Sequence, residues 1–261
     1  MNFNHNDQLK IEMKLKMKKM ILLMSALSVT LLMTSCLGDG NRNYTEKSVV
    51  YIDEDPASPI IYGKTLTGRL ITSKAMQLMD EGSFKIFTYS WDEEYGTTLI
   101  GQTPVDNVVI GDDPVDVDRT VLKMSELPDD DDTDLFLAVD KPYYVNHKTY
   151  LGDYWLFQYA YEAGKDDEAE VEFYLVNDPK PGDDEVLIEI RLDIDKNAET
   201  GASLSSKTDI VAVNMRPLRS YFEGLGQSKR DLKISFQYYQ KDRTDPVKLD
   251  ATCTLTVGEE S

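Results

Sequence analysis

Residues 185–194, EVLIEIRLDI, carry Val186, Ile188, Ile190, Leu192 and Ile194 at every second position. Between them stand Glu185, Glu189, Arg191 and Asp193, with Leu187 the one apolar exception. Successive side chains of a strand point to opposite faces, so this segment folds as a strand with one face in a core and the other in water. Three more stretches repeat the pattern. In 171–176, Val171, Phe173 and Leu175 alternate with Glu172, Tyr174 and Val176. In 232–238, Leu232, Ile234, Phe236 and Tyr238 alternate with Lys233, Ser235 and Gln237. In 247–257, Val247, Leu249, Ala251, Cys253, Leu255 and Val257 alternate with polar residues. One apolar face per strand is how an antiparallel sheet packs on a second sheet. Strand-like runs at 135–139, 154–161 and 210–215 bring the total to about seven, so 135–258 is predicted to be an antiparallel β-sandwich. Pro217 and Gly224 frame one short helix within it.

The first half is patterned more finely. Short β-type runs at 49–52, 60–62, 65–72, 84–91, 98–100, 107–110 and 120–124 are parted by Gly, Pro and Asp, with Gly63 and Gly68 as bends. In 84–91, Phe84 and Ile86 point one way, and Phe87, Tyr89 and Trp91 the other. Ser73 and Gly82 bracket a helical turn or two. Strands in such quick succession predict a small closed or half-closed barrel over 49–128. The acidic break PDDDDTD, 128–134, parts the two domains.

Residues 20–36, MILLMSALSVTLLMTSC, are apolar and small and follow the lysines of KLKMKK. A basic start, a short apolar core and small residues at the end describe a secretory signal, too short to span a membrane. Met33-Thr34-Ser35-Cys36 resembles a bacterial lipobox. That resemblance implies that Cys36 is acylated and that residues 1–35 are a signal peptide removed before it. Residues 1–12 are mostly polar and fit no signal peptide, so Met13, Met17 or Met20 is the expected start. The polar, glycine-bearing 36–48 reads as a lipidated tether, and the acyl chains are the expected membrane attachment.

Charge narrows the partners. The 261 residues include 28 basic and 47 acidic ones, a net of −19, and the signal segment is itself positive. Such a surface repels nucleic acid and anionic headgroups. With Cys36 lipidated, the second cysteine, Cys253, has no partner, so the fold rests on its core without a disulfide.

Chemistry-bearing residues are few. His147 is the one histidine beyond the signal segment, so a histidine triad or a multi-histidine zinc site lacks material. Asn146 and Lys148 beside it mark a surface loop. Cys253 sits on the apolar register of its strand and reads as a buried, inert thiol. Asp193, Asp195 and Asn197 have the alternating oxygens of a calcium loop. However, Ala198 replaces the turn glycine and Leu204 the bidentate glutamate. Asp112, Asp113, Asp116 and Asp118, and the run 129–134, are further acidic groups able to hold calcium weakly. Solvated charge is the plainer reading of them all. In 154–161, YWLFQYAY, the rings of Trp155, Phe157, Tyr159 and Tyr161 share one strand face. Exposed, they form a stacking platform for sugars; buried, they form a core stripe. Rings contribute most when buried and exposed patches of that size are rare, so the core is expected.

Taken together, the chain resembles the NigD-like lipoproteins of Bacteroidota. The residues carrying this are LMTSC at 32–36, MDEGSFKIFTYSWDEEYG at 79–96, EIRLDIDKNAETG at 189–201, VNMRPLRSYFE at 213–223 and LKISFQYY at 232–239. The resemblance implies an N-terminal OB-type barrel and a C-terminal sandwich, and it transfers no catalytic residue; it departs from the family pattern between about 97 and 153. An OB-type barrel does not import nucleic-acid binding. The expected protein is therefore an all-β, non-enzymatic lipoprotein of the outer membrane. Leu37-Gly38-Asp39 is not the acidic cluster of surface-export signals, which favours the periplasmic side. It acts as a binding or assembly module on an envelope protein or glycan, with no cofactor beyond a structural calcium. The alternatives are glycan binding, a glycan-acting hydrolase, or a structural role in an envelope complex.

Overall fold

The computed structural model describes residues 43–125, 127–128, 133–146, 148–196, 203–226 and 229–258. They fall into two units, residues up to 81 with 85–115, and residues 82–84 with those from 116 onward.

The first unit is built on β1 (Asn43–Asp55), β2 (Ser58–Thr65), β3 (Leu70–Thr72), β4 (Phe84–Asp92), β5 (Thr97–Ile100) and β6 (Thr103–Ile110). β1 pairs with β2 and β2 with β3, both antiparallel. β3 runs parallel to β6, β6 pairs antiparallel with β4, and β4 lies beside β1. Five strands thus close a ring, and β5 folds back on β6 as a hairpin. Val50, Ile52, Ile71, Met76, Phe87, Tyr89 and Val108 fill the interior. The expected helical turn after Ser73 is a 3₁₀ turn, Met76–Leu78, and the Ser73 hydroxyl accepts from the Met76 N–H at 3.3 Å.

Two details of this unit differ from the sequence reading. β1 starts at Asn43, so 43–48 is strand and not tether. Burial alternates along it, with Tyr44, Glu46 and Ser48 the less exposed, but those residues are polar and leave no apolar signal. Gly63 is not a bend either. It lies within β2 opposite Ile52 and Ile71, and a Cβ there would stand 2.3 Å from Val50 Cγ1 and 2.8 Å from Met76 Cε. Only Gly lets the neighbouring side chains close over that backbone. Gly68, with φ +86°, is the true turn residue.

Val115–Asp116 (β7) is a two-residue strand at the division. The second unit holds two sheets. One is ordered β8 (Asp118–Val121), β13 (Ser205–Asn214), β10 (Tyr154–Ala163) and β9 (Phe136–Val139). The other places β11 (Glu168–Leu175) beside β12 (Glu185–Asp195), then β14 (Arg230–Tyr238). β15 (Val247–Lys248) and β16 (Cys253–Val257) both pair with β14. Rings from the two sheets meet in one core: Phe157 lies 5.0 Å from Phe173 and 4.9 Å from Phe236, and Trp155 lies 5.9 Å from Phe236. This is sandwich packing.

The sandwich is not uniformly antiparallel, since β12 runs parallel to β14 and β13 parallel to β8. The apolar register predicted over 247–257 is interrupted as well. Ile234 faces Cys253 and Gln237 faces Lys248, so four residues stand opposite two and the strand splits. The division lies at 115/116, ahead of the acidic run 128–134, of which 129–132 fall outside the described residues. The cause is β8: Asp118–Val121 pairs with Val211–Asn214, and Leu122 enters the sandwich core. The helix Arg216–Gly224 begins under Asn214, whose side-chain oxygen accepts from the Arg216 N–H at 2.9 Å.

Candidate functional site

The residues singled out from sequence do not converge. Cys36, His147, Asn197 and 129–132 lie outside the described residues. Asp193 and Asp195 sit at successive outward positions of β12, opposite Glu170 and Glu168. Extended backbone spaces them about 7 Å apart instead of curling them round one ion. Asp134 is engaged on both oxygens, by Lys196 at 3.0 Å and the Ile194 N–H at 2.9 Å. Asp112 is likewise held by the N–H and hydroxyl of Thr88, and the Thr88 N–H keeps its carboxyl below the usual range. Among the described residues no three His, Cys, Asp or Glu side chains gather as a metal requires. Cys253 is buried, and burial pushes its thiol up, away from the reactive thiolate.

The aromatic row is core. Trp155, Phe157, Tyr159 and Tyr161 are 1%, 1%, 3% and 4% exposed, so they offer no stacking platform. The opposite face carries Leu156 and Ala160, also buried, and the exposed Gln158.

A different aromatic group is open to solvent. Where β1 and β4 run together at the start of the first unit, they and the turn after β4 enclose a hollow of about 380 Å³. Asn43, Tyr44 and Thr45 line it from β1, Ser90, Trp91 and Asp92 from β4, and Tyr95 from the turn. The Thr45 and Ser90 hydroxyls, both on its lining, bond at 3.0 Å and tie the two strands together. Tyr44 stacks on Trp91, with centroids 5.4 Å apart and planes at 23°. The Arg69 guanidinium lies 3.9 Å from the Tyr44 centroid. Two such groups cannot share one ring face at those distances, so both faces of Tyr44 are occupied.

Tyr95 is presented by its backbone. One Asp92 oxygen accepts from the Glu94 N–H at 2.9 Å and caps the 3₁₀ turn Glu93–Tyr95. Gly96 then turns the chain at φ +64°, a conformation suited to glycine. The Asn107 side-chain amide donates to the Tyr95 carbonyl at 2.9 Å. The residue is 45% exposed. It also borders a second hollow of about 600 Å³ lined by Lys74, Gln77, Thr98, Asn107 and Val109 among others, so Tyr95 lines both hollows.

Burial pushes the Tyr44 phenol up to about 12, with Arg69 pulling the other way, and it donates toward Asp106. Burial also raises Tyr89, which donates to Glu46 at 2.8 Å. Both phenols therefore stay protonated at neutral pH. The second Asp92 oxygen has no partner among the described residues, and Asp92 is the one carboxyl group lining the smaller hollow. The Trp91 ring N–H is buried and has no acceptor among the described residues.

Sequence reasoning missed this group. Tyr44 lay in the expected tether, Trp91 at the end of an expected strand on the face of Phe87 and Tyr89, and Tyr95 beyond that strand in no expected element. The one sign in the sequence was Tyr95 in a polar stretch, where a ring has no core to enter.

The fold and the hollow describe a two-unit all-β protein with a ligand-sized aromatic recess on its first unit. Solved Bacteroidota proteins share the fold. An uncharacterised Parabacteroides merdae protein aligns at TM-score 0.56 and 12% identity, over 81% of this chain and 96% of its own. A Bacteroides fragilis protein proposed to be a lipoprotein aligns at 0.51 and 13%, over 82% and 97%. A NigD-like immunity protein from Bacteroides caccae is among the neighbours at 0.48 and 10%, over 79% and 91%. No family model and no curated protein matches the chain. At these identities the likeness concerns the fold. No helix among the described residues is long and apolar enough to cross a membrane.

Proposed function

We propose that this chain is a lipid-anchored protein of the cell envelope, held through Cys36 at the outer membrane on its periplasmic side, that binds a ligand without transforming it. The five-strand ring serves as an OB-type barrel carrying the binding recess. The observation behind the reading is the recess of Tyr44, Trp91 and Tyr95, in which the first two rings stack on each other and the backbone of the third is held by Asn107. Preformed, mostly aromatic hollows with a few placed polar groups are how binding sites are built. Binding is favoured over glycoside hydrolysis because that chemistry needs two carboxyl groups about the scissile bond, and Asp92 lines the smaller hollow alone. The anchor rests on the lysine-led signal and the lipobox cysteine.

Two measurements test this. Cells fed an alkyne fatty acid should label the parent chain but not Cys36→Ser, and a labelled variant would remove the anchor. Neutral glycans incubated with the protein should show no new reducing ends. Release that disappears in Asp92→Asn would make the protein a hydrolase.

A further inference from the structure

We infer that the recess takes an uncharged oligosaccharide, laid across the Tyr95 ring with one sugar on each side of it and a hydroxyl donating to Asp92. This deepens the binding reading and rests on it. Size is the first argument. The hollows of about 380 and 600 Å³ share Tyr95 as their common ridge, which suits a chain of rings better than a single compact molecule. Surface is the second. The Tyr95 backbone is anchored by Asn107 and the residue is 45% exposed, so an apolar ring is presented to water from a fixed point of the chain. Such a face is matched by the C–H face of a pyranose. The polar groups come third. The unused Asp92 oxygen and the Asn43 amide border the same hollow, and a carboxylate makes strong hydrogen bonds with neutral hydroxyl donors.

Charge and ring geometry exclude the competitors. In the smaller hollow Asp92, with the net charge of −19 behind it, opposes uronate, sulfated and phosphate-bearing ligands; the larger hollow carries one cation, Lys74, and there the uronic-acid arm of the titration decides. A quaternary ammonium is bound by several open ring faces turned toward one point. Here Arg69 and Trp91 cover both faces of Tyr44, leaving it an edge, so no cage can form around a cation.

The chain has two tryptophans, one in each unit, and their indole N–H resonances separate the units spectroscopically. Trp91→Phe assigns the relevant peak. The mature-length chain carrying Cys36→Ser is titrated with neutral hexose and N-acetylhexosamine oligosaccharides of varied linkage, with uronic-acid oligosaccharides and with tetramethylammonium. The expected result is a saturable shift of the Trp91 peak by neutral sugars, tighter for trisaccharides than for monosaccharides, with the Trp155 peak unmoved. Tyr95→Ala should weaken it on the order of tenfold at unchanged melting temperature, while Tyr95→Phe retains it. A shift by uronates or by tetramethylammonium, with none by neutral sugars, overturns the inference and leaves a binding module in place. No shift by any of the probes overturns it as well. Binding of a neutral glycan followed by release of reducing ends upholds the ligand class and defeats binding without transformation.

Discussion

Gly63 stands in the middle of a strand, where composition alone argues against it. Its missing Cβ is what lets Val50, Met76 and Ile71 meet over β2. The Met76 methyl can swing aside, but the Val50 branch on the neighbouring strand has less freedom. Gly63→Ala should therefore cost about 1–3 kcal/mol by overpacking. Val50→Ala in the same chain should cost less than the two changes made separately, and thermal melts of the four proteins measure the difference. Asp209 offers a test by pH. Asp209 holds an exposed position opposite Tyr159, yet desolvation of its carboxyl, with the charge of Asp118 adding, pushes it up. A carboxyl whose folded pKa lies above its unfolded value destabilises the fold once pH has risen through both, and the cost vanishes on acidification. Asp209→Asn should thus be more stable than the parent at pH 7, with the gap closing toward pH 3. A gap independent of pH would mean that charge is not its source.

At the scale of elements, the helix Arg216–Gly224 is fastened by one residue. Arg219 bonds Asp153 at 2.7 Å, both side chains more than nine-tenths buried, and it also donates to the Thr256 carbonyl on β16. The helix is thereby tied to the turn before β10 and to the last strand. Removing one partner of such a pair leaves a buried charge, so Arg219→Ala should cost about 3–5 kcal/mol in urea melts. Asp153 has φ +67°, so glycine is the apt replacement there. Asp153→Gly added to Arg219→Ala should recover part of the loss. The helix was legible in sequence because Pro217 and Gly224 punctuate it. Its fastening was not, because Asp153 and Arg219 are far apart in the chain and neither belongs to a periodic pattern. The same contrast holds among the strands. Alternation in 185–194 identifies β12 and its buried face, yet it is silent on the parallel partner 233–238 that β12 takes. The recess was hidden for a related reason: polar residues at Asn43–Ser48 can be strand as well as tether, and only pairing decides.

For the whole molecule, the division at 115/116 makes a prediction about fragments. A chain of 116–258 retains β8 beside β13 and Leu122 in the core. One beginning at Asp134, the boundary that composition favoured, loses both and exposes the edge at Val211–Asn214. The longer fragment should melt cooperatively, and the shorter one at a clearly lower temperature or without a transition. Equal melting of the two would move the boundary back to the acidic run. The parallel pairing of β12 with β14 reaches further than stability. Between these neighbours the chain leaves for the opposite sheet, lays down β13 and the helix, and returns. The sheet of β8, β13, β10 and β9 has all its strands by Asn214, but the facing sheet lacks β14, flanked by β12 on one side and by β15 and β16 on the other, until the last stretch of sequence supplies it. A chain threaded through a membrane with its N-terminus leading would have its barrel strands free to assemble early. Its sandwich must wait, the four-strand sheet facing only the β11–β12 pair, until the tail has come through, so a premature stop between 215 and 229 yields a half-covered core for the quality-control proteases.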